Sequence, residues 1–144
     1  MTRHVTVIGP GFPLRAAWQL MREQHIRHLP IVQQGRLVGI LSDRDVLVRA
    51  VLEPDGELDV PTDPVAIAMT PAPITCSKET SVGWLAQTLI ERHIDCVPVL
   101  DETGLLVGLV TSTDLLSLLS DYEEGEMLPF DFRLVEARKQ AVVA

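Results

Sequence analysis

The chain has 144 residues, 47% of them hydrophobic, which suffices for one compact domain or for two small units that share a core. Its formal net charge of −8 opposes binding to nucleic acid or to an anionic membrane, because both require a basic surface. Cys76 and Cys96 are too few for a disulfide framework, and no apolar run reaches the length of a membrane span or of a signal peptide. We therefore expect a cytoplasmic protein with two reduced, buried thiols and no nucleic-acid or membrane partner.

The first part of the chain predicts the element order β-α-β-β-α. Short β-branched or apolar runs bounded by Gly and Pro predict strands, and apolar residues on one helical face predict helices. The expected elements are a strand at 5–8, a helix from Leu14 to about His25, a hairpin of strands at 29–32 and 37–41, and a helix from Asp43 toward Leu52.

The second part repeats that order after a linker rich in Pro, Asp, Glu and Gly. The expected elements are a strand at 74–76, a helix from about Ser81 to Arg92, a hairpin from Val97 to Val110, and a helix after Thr111. In the tail, residues 132–144 fit one amphipathic helix. We expect repeat one at 1–52, the linker at 53–68, repeat two at 69–120 and a C-terminal tail at 121–144.

An internal repeat organises the chain: residues 37–45 read LVGILSDRD, and residues 106–114 read LVGLVTSTD. Each copy is an apolar run that ends on a hydroxyl residue, with an aspartate three residues later. A hydroxyl and a carboxylate at this spacing can form a helix capping box, which remains the local interpretation. Two copies in register favour a shared functional role. The paired residues are Ser42 with Asp45, and Thr111 with Asp114.

His25 and His93 also correspond between the repeats, and each lies just past a predicted helix end. Histidine tolerates the left-handed backbone conformation that ends helices better than most residues do. Helix termination therefore explains this pair more simply than metal binding, and we expect no metal site.

Residues 26–32 (IRHLPIV) and 35–45 (GRLVGILSDRD) resemble the cystathionine-β-synthase (CBS) domain, and the tandem copy over residues 1–120 resembles a CBS pair, or Bateman module. The resemblance implies an α+β fold in which two β-α-β-β-α repeats pack with pseudo-twofold symmetry. It implies two clefts that bind adenosyl compounds such as AMP, ADP, ATP or S-adenosylmethionine. It also implies a homodimer that regulates an enzyme or transporter, with no required cofactor.

The resemblance further implies which residues hold the ligand. The aspartate of each motif would bind the ribose hydroxyls, and the Ser or Thr would lie near the ribose or the phosphates. Apolar strand residues would enclose the base, although many apolar residues would serve equally well. The motif residues are Ser42, Asp45, Thr111 and Asp114, and the candidates for the base are Val7, Pro30, Ile31, Thr75, Cys76 and Pro98.

The two repeats differ in charge near the motif. Repeat one has Arg27, His28 and Arg44 where repeat two has Asp95, Cys96 and Thr113. If the three basic residues face one cleft, we expect that cleft to be the better phosphate site, because Asp95 would repel phosphate in the other. The alternative is that Arg27 and His28 are the solvated start of a strand.

Two classes of function remain open: an adenosyl-ligand sensor, and a ligand-free structural or dimerisation module that holds a partner. No recognisable catalytic motif is present, so we do not expect an enzyme. The second helix of each repeat carries more apolar residues than one module can cover, which predicts a homodimer. These residues are Val46, Leu47, Val48, Val51, Leu115, Leu116, Leu118 and Leu119.

Overall fold

The structure, a computed structural model, describes residues 4–121. The predicted helix at 132–144 lies outside the described residues. The helices are α1 (Leu14–Gln24), α2 (Asp43–Leu47), α3 (Val82–Arg92) and α4 (Ser112–Ser120), with a 3-10 turn at Val65–Ile67. The strands are β1 (His28–Gln33), β2 (Arg36–Ser42), β3 (Val51–Leu52), β4 (Leu58–Asp59), β5 (Thr70–Pro71), β6 (Cys96–Leu100) and β7 (Leu106–Thr111).

The two hairpins have the same register, which confirms the internal repeat. Antiparallel β1 and β2 pair His28 with Ser42, and antiparallel β6 and β7 pair Cys96 with Thr111. Each hairpin has an irregularity at the equivalent place, after Ile31 in one and after Val99 in the other. The predicted α+β fold of two repeats is confirmed.

The strands predicted at 5–8 and 74–76 are reduced to single parallel bridges. The Ile8 N–H donates to the Pro30 carbonyl (3.2 Å), and the Val32 N–H donates to the Ile8 carbonyl (2.9 Å). Cys76 makes the corresponding bridge to Val99 in repeat two. Gly9 and Pro10 follow at once in repeat one, so the ladder does not extend.

The second helix is shorter than predicted. α2 ends at Leu47, whereas the apolar pattern predicted a helix toward Leu52. Val51 and Leu52 instead pair with Asp59 and Leu58 across a turn that contains a left-handed glycine. Since β-branched residues suit a strand better than a helix, the local pairing replaces the last predicted turn.

The segment just after the linker completes the sheet of repeat one. β5 pairs antiparallel with β2, which places Pro71 opposite Gly39. A Cβ atom at Gly39 would lie 2.5 Å from Met69 Sδ and 3.0 Å from the Thr70 carbonyl oxygen. Gly39 is therefore needed for the close approach of this segment.

Each repeat has its own cluster of buried apolar side chains. In repeat one, the side chains of Leu29 and Leu41 face each other across the hairpin, and both are fully buried. In repeat two, the side chains of Val97 and Val99 on β6 are almost completely buried. The predicted buried thiols are confirmed at Cys76 and Cys96. Burial, with a smaller contribution from nearby aspartates, raises the pKa of Cys96 to about 12, so this thiol stays protonated.

Helix ends explain the paired histidines, as predicted. His25 and His93 both have φ 53, and the His25 N–H donates to carbonyls of the last turn of α1. Within residues 4–121, no three or more His, Cys, Asp or Glu residues lie close enough together to hold a metal ion. In the same range, every helix is too short or too polar to cross a bilayer.

Candidate ligand-binding clefts

Two cavities of about 250 and 380 Å³ lie between the repeats, and we name them cleft A and cleft B. Both are near the size range of small-molecule sites. Cleft A is lined by residues 4–6 and 24–28 of repeat one, and by Asp95, Leu109 and residues 111–113 of repeat two. Cleft B is lined by Thr70 and residues 72–74 and 93–96 of repeat two, and by His28, Ile40 and residues 42–45 of repeat one.

The clefts are related by the pseudo-twofold symmetry of the repeats. Each cleft is lined by two segments of one repeat, which are the segment before its first β-bridge and the segment after its first helix. The other repeat contributes residues of its hydroxyl-aspartate motif. The motif with Ser42 therefore meets residues 93–96, and the motif with Thr111 meets residues 24–28. Each candidate site needs both repeats.

Both motifs form capping boxes. The Asp45 N–H donates to Ser42 Oγ (3.2 Å), and the Ser42 N–H donates to Asp45 Oδ2 (2.7 Å). Thr111 and Asp114 make the same two bonds at 3.3 and 2.8 Å. The interpretation of the motif as a helix capping box is thus confirmed, and the two boxes fix the starts of α2 and α4.

The two motif aspartates differ in position relative to the cavities. Asp45 lines cleft B, whereas among the described residues that line cleft A the motif contributes only residues 111–113. The Asp45 carboxylate uses Oδ2 for the cap, and a carboxylate can accept about four hydrogen bonds in total. Capping and ligand binding are therefore compatible at Asp45.

The basic residues of repeat one do not face a single cleft, so the premise of the predicted phosphate preference is wrong. Arg44 lines cleft B, Arg27 lines cleft A, and His28 lines both. The reason is that the motif of repeat one, which contains Arg44, lines cleft B together with the segment after α3. Arg27 lies in the segment after α1, which lines cleft A with the motif of repeat two.

Asp95 lies between the clefts and lines both. Its Oδ2 atom is 3.7 Å from an Arg27 guanidinium nitrogen and 3.8 Å from one of Arg44. Arg27 Nε also lies 3.4 Å from Asp43 Oδ2. Asp95 therefore lies near one arginine from each cleft. The sequence had instead predicted that Asp95 would repel phosphate in one cleft only.

His28 is held in its neutral form. Burial, helped by the positive charge of Arg27, lowers its pKa from the usual value, while Asp43, Asp95 and Asp45 oppose that shift by smaller amounts. The side chain therefore adds no fixed positive charge to either cleft at neutral pH.

The depressed pKa of His28 predicts a pH-dependent stability. Because the fold disfavours the protonated form of the partly buried His28, its contribution to stability is full above the unfolded-state pKa of 6.5 and is lost as the pH falls below that value. From about pH 7.5 to about pH 5.5, the urea midpoint of the unmodified chain should fall more than that of His28→Gln. Equal falls in the two proteins would contradict this prediction, and His93→Asn serves as a control at an exposed histidine.

The residues predicted to enclose the base do not line either cleft in the described part of the chain. Pro30, Ile31 and Pro98 are buried in the cores, and Val7 is exposed elsewhere on the surface. Thr75 and Cys76 line a third, open cavity beside Trp84.

The prediction missed the apolar residues that do line the clefts. These residues are Val5, Ile26 and Leu109 in cleft A, and Ile40, Ile74 and Ile94 in cleft B. The repeat offset already pairs Ile26 with Ile94 and Ile40 with Leu109. Both positions of each pair are apolar, and this agreement between the repeats was a signal that could have identified these cleft residues.

The family assignment follows from comparison with known proteins. The family model described as the CBS domain matches residues 1–51 and 63–121. The chain belongs to the CBS domain family. Its two matched segments correspond to the two repeats, and CBS repeat one and CBS repeat two denote them below.

The relatives include a protein of similar length and an enzyme. The CBS domain-containing protein YhcV of Bacillus subtilis is 28% identical over 130 residues, which cover 89% of each chain. The inosine-5'-monophosphate dehydrogenase of Thermoplasma acidophilum is 30% identical over 149 residues, 95% of this chain but 29% of the enzyme. The chain thus spans under a third of that enzyme's length.

A solved structure shares the architecture. The CBS domain pair of protein MJ0100, in complex with 5'-methylthioadenosine and S-adenosyl-L-methionine, superposes with a TM-score of 0.72 at 26% identity. The match covers 83% of this chain and 91% of that one. CBS domain pairs with this fold therefore include one that holds adenosyl compounds.

Proposed function

We propose that this CBS pair is a regulatory module that binds adenosyl compounds in clefts A and B. The observation that carries the proposal is the placement of Asp45 in a cleft closed by the other repeat. The similar CBS pair of MJ0100, which binds two adenosyl compounds, supports it. The module would convey ligand binding to an enzyme or transporter, and it would not catalyse a reaction itself.

The cleft chemistry suits a nucleoside. In cleft B, Asp45 can accept hydrogen bonds from the ribose cis-diol, and Ile40, Ile74 and Ile94 can enclose the base. In cleft A, Thr6 and residues 111–113 place hydroxyl groups beside Ile26. Hydroxyls can donate to ribose or phosphate oxygens.

Ligand binding should stabilise the fold. A ligand that binds only the native state adds RT ln(1 + [L]/Kd), about 2.7 kcal/mol at a hundredfold excess over Kd. AMP, ADP, ATP, S-adenosylmethionine and 5'-methylthioadenosine should be compared in thermal unfolding at millimolar concentration. At least one should raise the midpoint, and the absence of any shift would contradict the proposal.

We also propose a homodimer formed through exposed apolar residues that follow α2 and that lie on α4. Val48 is 85% exposed, Val51 59%, Leu116 63% and Leu119 66%, so these side chains need a partner surface. Val46 is fully buried in the core of repeat one and leaves the predicted set. Light scattering at micromolar concentration should give twice the chain mass of 15.9 kDa, and a monomer mass would contradict the dimer.

The second candidate is a ligand-free module that holds a partner protein. The two capping boxes favour it, because they give Asp45 and Asp114 a structural role that needs no ligand. Mass spectrometry of an extract from the heat-denatured purified protein separates the candidates. A co-purified adenosyl compound supports the sensor, and its absence together with no thermal shift supports the structural module.

A further inference from the structure

We infer that the two clefts select adenosyl ligands by charge. Cleft A takes a ligand with a phosphate group, and cleft B takes one whose 5' substituent is uncharged or cationic, such as a thioether or a sulfonium. The inference rests on the proposed function and assigns a ligand class to each cleft.

The charged residues that line the two clefts differ. In the described part of the chain, cleft B is lined by three carboxylates, Asp43, Asp45 and Asp95, and by one guanidinium, Arg44. Their formal charge is −2 with histidines neutral. Among residues 4–121, the charged residues that line cleft A are Asp95 and Arg27, which gives zero. A phosphate therefore meets net repulsion in cleft B and none in cleft A.

The ion pairs around the clefts preserve this difference. Arg27 lies near both Asp43 and Asp95, so it offsets part of the charge of Asp43. Even when Arg27 is counted toward cleft B as well, that cleft keeps a formal charge of −1. Arg27 and Arg44 both lie near Asp95, so this ion pairing affects the guanidinium of each cleft alike.

The neutral side chain of His28 does not change which cleft is the more negative. Burial keeps His28 uncharged at neutral pH, and it lines both cavities, so it favours neither. The inference thus reverses the phosphate preference that the sequence had suggested.

One pair of equivalent positions contributes one of the two formal charges by which the clefts differ. Asp43 in cleft B corresponds to Ser112 in cleft A, and each is the first residue of its helix. In cleft A, Thr111, Ser112 and Thr113 place three hydroxyl residues at the start of α4. Hydroxyl groups donate to phosphate oxygens, whereas a carboxylate at position 43 can only accept.

A reciprocal exchange tests the inference on the full chain. Calorimetry with ADP, 5'-methylthioadenosine and S-adenosylmethionine should be performed on Asp43→Ser and on Ser112→Asp. Ser112→Asp should weaken the tighter ADP site by about 3- to 10-fold. Asp43→Ser should strengthen the weaker ADP site by a similar factor and weaken S-adenosylmethionine. Uncharged 5'-methylthioadenosine should change by less than about twofold in both variants.

A third variant keeps the outcome decisive. Thr113 is exposed, so Thr113→Arg adds a cation to cleft A with little risk to folding, and it should tighten ADP even if Ser112→Asp folds poorly. Ligand binding that is insensitive to all three substitutions would overturn the charge assignment alone. No binding of any adenosyl compound to the unmodified chain would instead overturn the proposed function, and the assignment with it.

Discussion

Replacing Leu41 by alanine should lower the free energy of unfolding by about 2–5 kcal/mol. Leu41 is fully buried and faces the equally buried Leu29 across the hairpin of CBS repeat one. The substitution removes apolar contacts and leaves a cavity that strands held in register cannot close. Urea denaturation at a fixed protein concentration measures the loss, because the proposed dimerisation would make stability concentration-dependent.

Two variants control for the chemistry of that change. Ile90→Ala removes a similar side chain at a position that is 72% exposed, and it should change stability by less than about 0.5 kcal/mol. Leu41→Met keeps most of the volume and should cost less than about 1.5 kcal/mol. A loss at Leu41 no larger than that at Ile90 would show that this hairpin is not part of the cooperative core.

Asp45→Ala should weaken adenosine binding in cleft B by at least about tenfold, since each hydrogen bond to a charged acceptor contributes about 1.5–3 kcal/mol. The proposed contact is with the ribose diol, so 2',3'-dideoxyadenosine supplies the matched ligand. The unmodified chain should prefer adenosine strongly, and the variant should bind both compounds with similar, weak affinity. Calorimetry with both ligands gives the two ratios.

The cap must be separated from the ligand contact, because Asp45→Ala also removes an acceptor for the Ser42 N–H. Loss of such a cap costs about 0.5–2 kcal/mol of stability. Asp45→Asn retains an acceptor oxygen for the cap but loses the charge, so it should stay folded and still discriminate poorly between the ligands. A persistent preference for adenosine in a folded Asp45→Asn protein would contradict the ribose contact.

Local chemistry made much of the fold predictable from sequence. Helix ends at His25 and His93 follow from backbone preferences, and the hairpins follow from apolar runs joined by Gly-containing turns. α2 was predicted too long, because Leu52 suits either a helix or a strand and the pairing with Leu58 decides between them.

The clefts were less predictable, because they depend on how one repeat meets the other. The motif residues Ser42 and Asp45 were expected near a ligand, and the structure places both in cleft B. Arg27 and Arg44 are 17 positions apart and belong to one repeat, yet the pseudo-twofold packing assigns them to different clefts. Hydrophobicity alone also could not distinguish Ile31, which faces the core, from Ile26, which faces cleft A.

The pairing of β5 with β2 makes the two halves of the chain mutually dependent. The strand Thr70–Pro71 follows the linker, yet it completes the sheet that begins the chain, and Met69 packs over Gly39. A chain cut in the exposed turn at residues 54–57 would therefore yield fragments that reassemble by complementation. A fragment that ends before Met69 would expose an unpaired sheet edge, which is a template for aggregation.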